Sequence, residues 1–205
     1  MKNRRFARRS RSALGGLLSA ATLALALSTT SCGYNEVVER DQDVQGAWAE
    51  VQNQYKRRAD LVPNLVATVK GAANFEQDTL QKVVEARAKV GQLKVDSSTI
   101  DDPVKLKQFQ AAQGELTSAL SRLMVVVEKY PELKATDAYR DLQSQLEGTE
   151  NRITVARNRY IGAVAEYNKV VLRFPSSIGA SLRHMSTRPT FEAEPGLEKP
   201  PEVKF

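Results

Sequence analysis

Apolar residues recur along most of this chain at spacings that alternate between three and four, the spacing of one face of an α-helix. Four such runs follow one another, from Tyr34 to Tyr55, from Val62 to Val90, from Leu106 to Tyr130 and from Tyr139 to Phe174. No stretch of the sequence shows the strict alternation of a half-buried strand. The pattern predicts an all-α fold, an up-and-down antiparallel four-helix bundle with long helices.

Local chemistry predicts where several of these helices begin and end. Asp102 followed by Pro103 is typical of a helix start, because the acid caps free N–H groups and proline fits the first position. Pro131 and Pro175 each disfavour helix in the residue before them, so we expect helices to end near both prolines. Thr136 or Asp137 can cap the helix that follows Pro131.

Pro63 allows two interpretations of the first half of the chain. Proline inside a helix costs about 3 kcal/mol, so we expect a turn near residues 58–60, with Asp60 capping a second helix. The alternative is one long kinked helix, because the apolar spacing continues through Pro63. We favour the turn, since an unbroken helix from Tyr34 to Lys94 would be roughly 90 Å long.

The amino-terminal segment has the order of a secretory signal peptide: basic, then apolar, then small residues. Its apolar run, Ala13 to Leu27, is short for a membrane span, which needs about 20 apolar residues. Cys32, the only cysteine, follows the small residues directly. This order resembles the lipoprotein cleavage site of bacteria, although Thr29 stands where leucine is usual. We predict acylation of Cys32, with a retained membrane anchor or a free thiol as alternatives.

The leader also accounts for the charge of the chain. Its six basic residues account for the whole formal net charge of +6, so basic and acidic residues are equal in number in the rest of the chain. The composition of that part does not indicate a nucleic-acid partner. We divide the chain into a signal peptide (1–31), a helical bundle (32–188) and an irregular tail (189–205) that is too rich in proline to be helical.

Several motifs resemble those of the LemA family, in the same order and over nearly the whole chain after the leader. The most specific runs from Arg57 to Val66, and the others are Tyr34-Asn35, Ala47-Trp48, Ala86-Arg87, Tyr130 to Lys134, Glu150 to Ile153, Ala156-Arg157, Tyr167-Asn168, Phe174-Pro175 and Phe191 to Ala193. The chain departs from the family pattern at Ala72, Phe75 and Ile161. The resemblance implies a membrane-tethered helical bundle that faces out of the cytoplasm, has no known catalytic activity and has relatives associated with magnetosomes.

Residues that could carry chemistry are scarce. His184 is the only histidine, and one histidine with one cysteine cannot supply the four ligands of a structural zinc site. We therefore expect no catalytic residues, no metal, no cofactor and no small-molecule substrate. Two polar groups remain, each interpreted first as structural and second as a docking patch: Arg57, Arg58, Asp60 and Asn64, and on the fourth helix Asn151 and Arg152.

The sequence thus favours a non-catalytic, lipid-anchored envelope protein that acts as a scaffold or adaptor for another envelope protein. A membrane-associating or membrane-shaping protein is the first alternative, and an enzyme of unknown type is the second. Gly33 lacks the acidic side chain that retains many lipoproteins in the inner membrane. The outer membrane is therefore the expected location if the host is Gram-negative, with the bundle facing the periplasm.

Overall fold

Helices form nearly all of the regular structure in the computed structural model, which describes the backbone of residues 6–71 and 75–192 and the side chains from residue 35 onward within those ranges. The described helices are α1 (Phe6–Lys70), α2 (Gln77–Gln92), α3 (Pro103–Val127), α4 (Pro131–Lys134), α5 (Asp137–Leu172) and α6 (Ser176–Leu182), with a 3-10 turn at Ser97–Ile100. These described ranges contain no strand, so the predicted all-α class is confirmed.

The predicted turn near residues 58–60 is wrong. Helix α1 continues through Arg58, Asp60 and Pro63 as far as Lys70, so the apolar spacing outweighs the proline. Pro63 has no N–H to give to the carbonyl of Ala59, four residues earlier. The Nε of Arg87 on α2 donates to that carbonyl at 3.1 Å instead. A partner from another helix thus supplies the hydrogen bond that the proline removes.

The other predicted helix starts are confirmed. One carboxylate oxygen of Asp102 accepts from the backbone N–H of Val104 at 2.8 Å, and Pro103 occupies the first turn of α3. The hydroxyl of Thr136 accepts from the N–H of Tyr139 at 3.3 Å, at the start of α5. In both places the side chain satisfies a backbone donor that the first turn of a helix leaves free.

The chain divides into two compact units, and α1 and α5 each contribute to both. The larger unit comprises residues 43–165 and 188–205. In it α2 packs against α3, and one cluster of buried side chains joins α1 from Val62 to Val69, α2, the second half of α3 and the start of α5. The predicted stripes supply this cluster, so the three-four spacing did identify the core of the unit.

The smaller unit comprises residues 1–42 and 166–187. Val37, Tyr167 and Val170 are buried in it. The hydroxyl of Ser176 lies 2.8 Å from the carbonyl oxygen of Val170, so it serves as a donor for the end of α5. Helix α6 ends at Leu182. Beyond it His184 has a left-handed φ of 54°, and its N–H donates to the carbonyl of Ser181 as in a Schellman cap.

Phe174 departs from the predicted stripe. It continues the apolar spacing of α5 but lies beyond the end of that helix, at Leu172, and is 75% exposed. The periodic rule applies only while the helix continues, because the backbone after Leu172 no longer directs the next apolar position toward the same face. Ala72, at the end of another predicted stripe, lies outside the described residues.

Candidate functional site

Arg58 is the most unusual side chain of the larger unit, since only 1% of it is exposed. It reaches from α1 to both α3 and α5. Its Nη1 donates to Thr117 Oγ1 at 2.7 Å and to Glu150 Oε1 at 2.8 Å, and its Nη2 donates to Gln113 Oε1 at 2.5 Å. Buried charges are tolerated when they are paired and hydrogen-bonded, and here two helices, α3 and α5, supply the partners.

Two further contacts fix the position of this guanidinium. Its Nη2 also donates to the backbone carbonyl of Gln113 at 3.1 Å, and its carbon lies 5.0 Å from the centroid of the Tyr55 ring, within cation–π range. Glu150 is 42% exposed, so the ion pair has one buried end and one end that water can reach. We interpret Arg58 as the residue that sets the register of α1, α3 and α5. Its two Nη groups are engaged in these contacts, so only Nε remains as a free donor for a soluble substrate.

The remaining members of the predicted polar groups are spread over the surface. Arg57, Asp60 and Asn64 are exposed within α1, and Asn151 and Arg152 are exposed on α5. The expected capping role of Asp60 is wrong, because Asp60 lies inside α1. The carboxylate that pairs with Arg58 is that of Glu150 on α5. The Nη2 of Arg152 donates to Thr149 one turn earlier in its own helix, rather than to another helix.

Sequence reasoning missed Gln113 and Glu150, the main partners of Arg58. Gln113 is buried and stands four residues after Phe109 and three before Leu116, which places a polar side chain inside the apolar stripe of α3. A polar residue at such a position was the available signal for a buried partner. Glu150 carried a weaker signal, since it begins the Glu150 to Ile153 motif.

An open groove of about 480 Å³ lies beside Arg58, between α1, α2, α3 and the segment that follows α2. Its apolar lining includes Tyr55, Val90 and Phe109, and its polar lining includes Lys56 and Arg87. The Nε2 of Gln52, another lining residue, donates to the carbonyl of Val95 at 3.2 Å and so ties that segment to α1. This mixture of rings, aliphatic chains and charged tips suits an amphipathic ligand. Asp60 also lines the groove, and it is the one residue of the two predicted polar groups that does so.

The segment Arg188–Glu192, which we call the strap, lies on the larger unit without regular secondary structure. The Nε of Arg188 donates to Asp101 at 2.7 Å. Gln110 on α3 pairs with the backbone of Glu192 through two hydrogen bonds, giving one from Nε2 at 2.8 Å and accepting one at Oε1 at 3.2 Å. The predicted irregular tail therefore begins as an ordered segment, while residues 193–205 lie outside the described part.

Phe191 of the strap completes an aromatic cluster. Its ring centroid lies 6.3 Å from that of Trp48 and 5.3 Å from that of Tyr160, and the guanidinium of Arg157 lies 4.8 Å from it. The hydroxyl of Tyr160 donates to the carbonyl of Pro189 at 3.1 Å. Burial raises the pKa of Tyr160, with a smaller opposing effect of Arg188, so this phenol stays protonated and acts as a donor.

The described side chains offer little for catalysis. Within residues 35–71 and 75–192, no three His, Cys, Asp or Glu side chains come close enough to hold a metal ion. His184 is exposed at the end of α6. The side chain of Cys32 lies outside the described residues, so its acylation stays a prediction. In the part of the chain that the structure covers, no helix has both the length and the apolar character needed to cross a bilayer.

Comparison with known proteins identifies the family. The sequence is similar to magnetosome protein MamQ 2 of Paramagnetospirillum magneticum, with 25% identity over 90% of this chain and 74% of that protein, and to MamQ of Magnetospirillum gryphiswaldense, with 24% identity over 89% and 73%. Protein LemA of Metamycoplasma hominis is 26% identical over 68% of this chain and 60% of that protein. The sequence profile of the LemA family matches residues 47–205, and the chain therefore belongs to the LemA family.

Proposed function

We propose that this protein is a lipid-anchored, non-catalytic adaptor of the cell envelope that binds a segment of another envelope protein in the groove beside Arg58. The observation that carries the proposal is the groove itself, whose lining combines aliphatic side chains and the largely buried rings of Tyr55 and Phe109 with charged side chains. Burial of Arg58 beneath it keeps α1 and α3 in a fixed register. A preformed groove of this kind loses little conformational entropy when it binds a partner.

The expected occupant is a polypeptide segment with an apolar anchor. Tyr55 and Phe109 pack edge to face at 86° with centroids 5.2 Å apart and are only 6% and 3% exposed, so they offer a small, rigid apolar surface to such an anchor. Lys56, Asp60 and Arg87 supply charges of both signs along the groove, so we expect the partner segment to carry acidic and basic residues around its anchor.

The larger unit also supports the bundle architecture that the sequence favours. Parts of α1 and α5 lie in this unit together with α2 and α3, so four helices are available for such a bundle, although α1 joins residues that were predicted to form two helices. A rigid bundle suits an adaptor, because helices hold a binding surface in place better than loops do.

The envelope location is proposed from the leader and from the family. Basic, apolar and small residues precede Cys32 in the order of a lipoprotein signal, and acylation of that thiol would hold the protein at the membrane surface. Two of the relatives are named as magnetosome proteins, which favours an association with membranes over free diffusion. Gly33 favours the outer membrane in a Gram-negative host.

A photo-crosslinking experiment tests the adaptor function. Gly91 lines the groove and a side chain there meets open space, and Gly162 on α5 offers the same free space away from the groove. With a photoreactive amino acid at either position, we expect a discrete adduct in intact cells from position 91 only. The adduct should disappear when Asn53, an exposed lining residue, is replaced in Asn53→Arg. Equal adducts from both positions, or an adduct that survives Asn53→Arg, would count against the groove.

A separate experiment tests the anchor. Metabolic labelling with a fatty-acid analogue should mark the wild-type protein and leave Cys32→Ser unmarked. Density-gradient separation of the membranes should then place the labelled protein in the outer membrane. Labelling of both proteins would overturn acylation at Cys32, and recovery in the inner membrane would overturn the sorting assignment alone.

A further inference from the structure

The smaller unit exposes large apolar side chains over a short stretch of sequence. Leu172, Phe174, Ile178 and Leu182 are 72%, 75%, 45% and 78% exposed, and all four fall between the last turn of α5 and the end of α6. We call residues 169–184 the α5–α6 corner. Isolated exposed apolar residues need no explanation, but four within eleven positions indicate a surface that binds a membrane or another protein.

The charge of the same stretch is one-sided. Lys169, Arg173 and Arg183 are exposed basic residues of the corner, and the sequence has no acidic residue between Glu166 and Glu192. Glu166 forms an ion pair with Lys169 at 3.8 Å, and the formal charge of residues 169–184 is positive because they contain no acidic residue. Protruding apolar side chains with basic neighbours are the combination that binds the interface of an anionic bilayer.

The backbone of the corner is built to hold these side chains outward. Ser176 and Ala180 are the buried residues of α6, so its opposite side, with Ile178 and Leu182, faces solvent. The Schellman cap at His184 satisfies the last carbonyls of α6 with backbone donors. A short helix whose last carbonyls are satisfied in this way can approach an apolar phase, because it leaves fewer unpaired polar groups to desolvate.

The position of the corner in the chain agrees with this role. It belongs to the same compact unit as the part of α1 that extends to Gln42, the part that includes Cys32. Val37, five residues after Cys32, is buried in that unit together with Tyr167 and Val170. A membrane contact at the corner and an acyl chain at Cys32 would therefore act through the same unit.

We propose that the α5–α6 corner inserts Leu172, Phe174, Ile178 and Leu182 into the surface of an anionic phospholipid bilayer. The inference goes beyond the adaptor function and does not need the acyl chain, because the corner carries its own apolar side chains and its own charge. Basic residues at the rim draw the corner to the lipid headgroups, and the four apolar side chains then enter the boundary between headgroups and acyl chains. This second contact would fix the orientation of the protein, which a single flexible anchor leaves free.

Site-specific fluorescence tests the proposal. In a full-length Cys32→Ser protein, which has no other thiol, Phe174→Cys or Leu182→Cys is labelled with the polarity-sensitive dye NBD. Vesicles of phosphatidylcholine with phosphatidylglycerol should brighten and blue-shift the dye at both positions. The matched control is Val125→Cys on α3, which is 69% exposed in the larger unit and should not respond. The control matters because the leader itself can bring the whole protein to a vesicle.

The charge dependence gives a second measurement. Vesicles of phosphatidylcholine alone should produce a weaker signal, and Arg173→Gln should weaken binding to the anionic vesicles about fivefold, as expected for one basic residue at such a surface. An equal response at position 125, or no response at 174 and 182, would overturn the inference. A blue shift at 174 that grows with protein concentration in the absence of vesicles would show self-association instead. None of these outcomes bears on the groove or on Cys32 acylation.

Discussion

The Nε of Arg87 on α2 donates a hydrogen bond of 3.1 Å to the carbonyl of Ala59 on α1, the acceptor that Pro63 leaves without its helical donor. This contact explains how α1 continues through a proline near its carboxyl end. It also ties α2 to α1 at the edge of the groove, since Ala59 and Arg87 both line it. Arg87 therefore stabilises a helix to which it does not belong.

The first prediction tests this relationship by a double-mutant cycle. Arg87→Ala should lower the free energy of unfolding by about 1 kcal/mol, because it leaves the Ala59 carbonyl without its donor. In a Pro63→Ala background the restored N–H can bond that carbonyl, so Arg87→Ala should cost clearly less there. Urea unfolding followed by circular dichroism measures all four proteins. The same loss in both backgrounds would disprove the compensation.

The second prediction concerns the buried guanidinium. Glu150→Ala leaves the charge of Arg58 buried, and breaking such a pair costs about 3–5 kcal/mol when both partners are buried. The loss here should fall below that range, because Glu150 is 42% exposed and already partly hydrated. Arg58→Met should cost less than Glu150→Ala, since the carboxylate that it leaves can turn to water. The reverse order in thermal unfolding would show that Arg58 contributes mainly through packing.

The third prediction concerns the strap. Phe191→Ala should lower stability by about 3–5 kcal/mol, as expected for a buried phenylalanine, and should shift the emission of Trp48 to longer wavelength because the rings lie together. Phe174→Ala is the matched control, since Phe174 is largely exposed. It should change stability by less than about 0.5 kcal/mol. An unchanged Trp48 spectrum in Phe191→Ala would contradict the packing of the strap.

The fourth prediction is a loss of stability in alkali. Burial raises the pKa of Tyr160. Burial also raises the pKa of Tyr139, with smaller contributions from the negative charges of Glu128 and Glu147. Above about pH 10 the tyrosines of the unfolded chain lose their protons, while these two keep theirs in the folded protein. The folded state then binds more protons, so stability falls as pH rises. Below that pH the two phenols contribute no pH dependence.

Tyr160→Phe provides the comparison for the alkaline effect. It removes the hydrogen bond to the Pro189 carbonyl, so this variant should be less stable than the wild type at neutral pH. Its stability should nevertheless fall less steeply above about pH 10, because one titrating group is gone. Urea unfolding across this pH range measures both slopes. Equal slopes in the two proteins would contradict the assignment.

Much of the fold followed from the spacing of apolar residues, and the exceptions have physical causes. Leu65, Leu116 and Leu123 are fully buried as their stripes predict. The predicted turn at residues 58–60 is wrong because helix propensity counts only the hydrogen bond that Pro63 removes from its own helix. It does not include the hydrogen bond that a side chain of α2 donates to the same carbonyl. The predicted burial of Phe174 is wrong because helical spacing places residues on one face only within the helix, and α5 ends before Phe174.

The candidate site was less accessible to sequence reasoning. Arg58 was selected because it stands in a specific motif, but its partner Glu150 lies 92 positions away in sequence. Only the folded arrangement of α1, α3 and α5 brings Gln113, Thr117 and Glu150 to one guanidinium. The same holds for the groove and the strap, whose contacts join residues with no shared local pattern.

If the leader directs export, as we propose, the strap sets an order of events during that export. Trp48, Phe109 and Tyr160 lie together in the folded protein, but Phe191 is the last of the four rings to leave a translocation channel that threads the chain from its amino terminus. The aromatic cluster therefore closes only after nearly all of the chain has crossed, and until then Trp48 and Tyr160 lack one neighbour. A chain stalled during export before Phe191 emerges would carry an unsealed core, open to proteases and chaperones on the far side of the membrane.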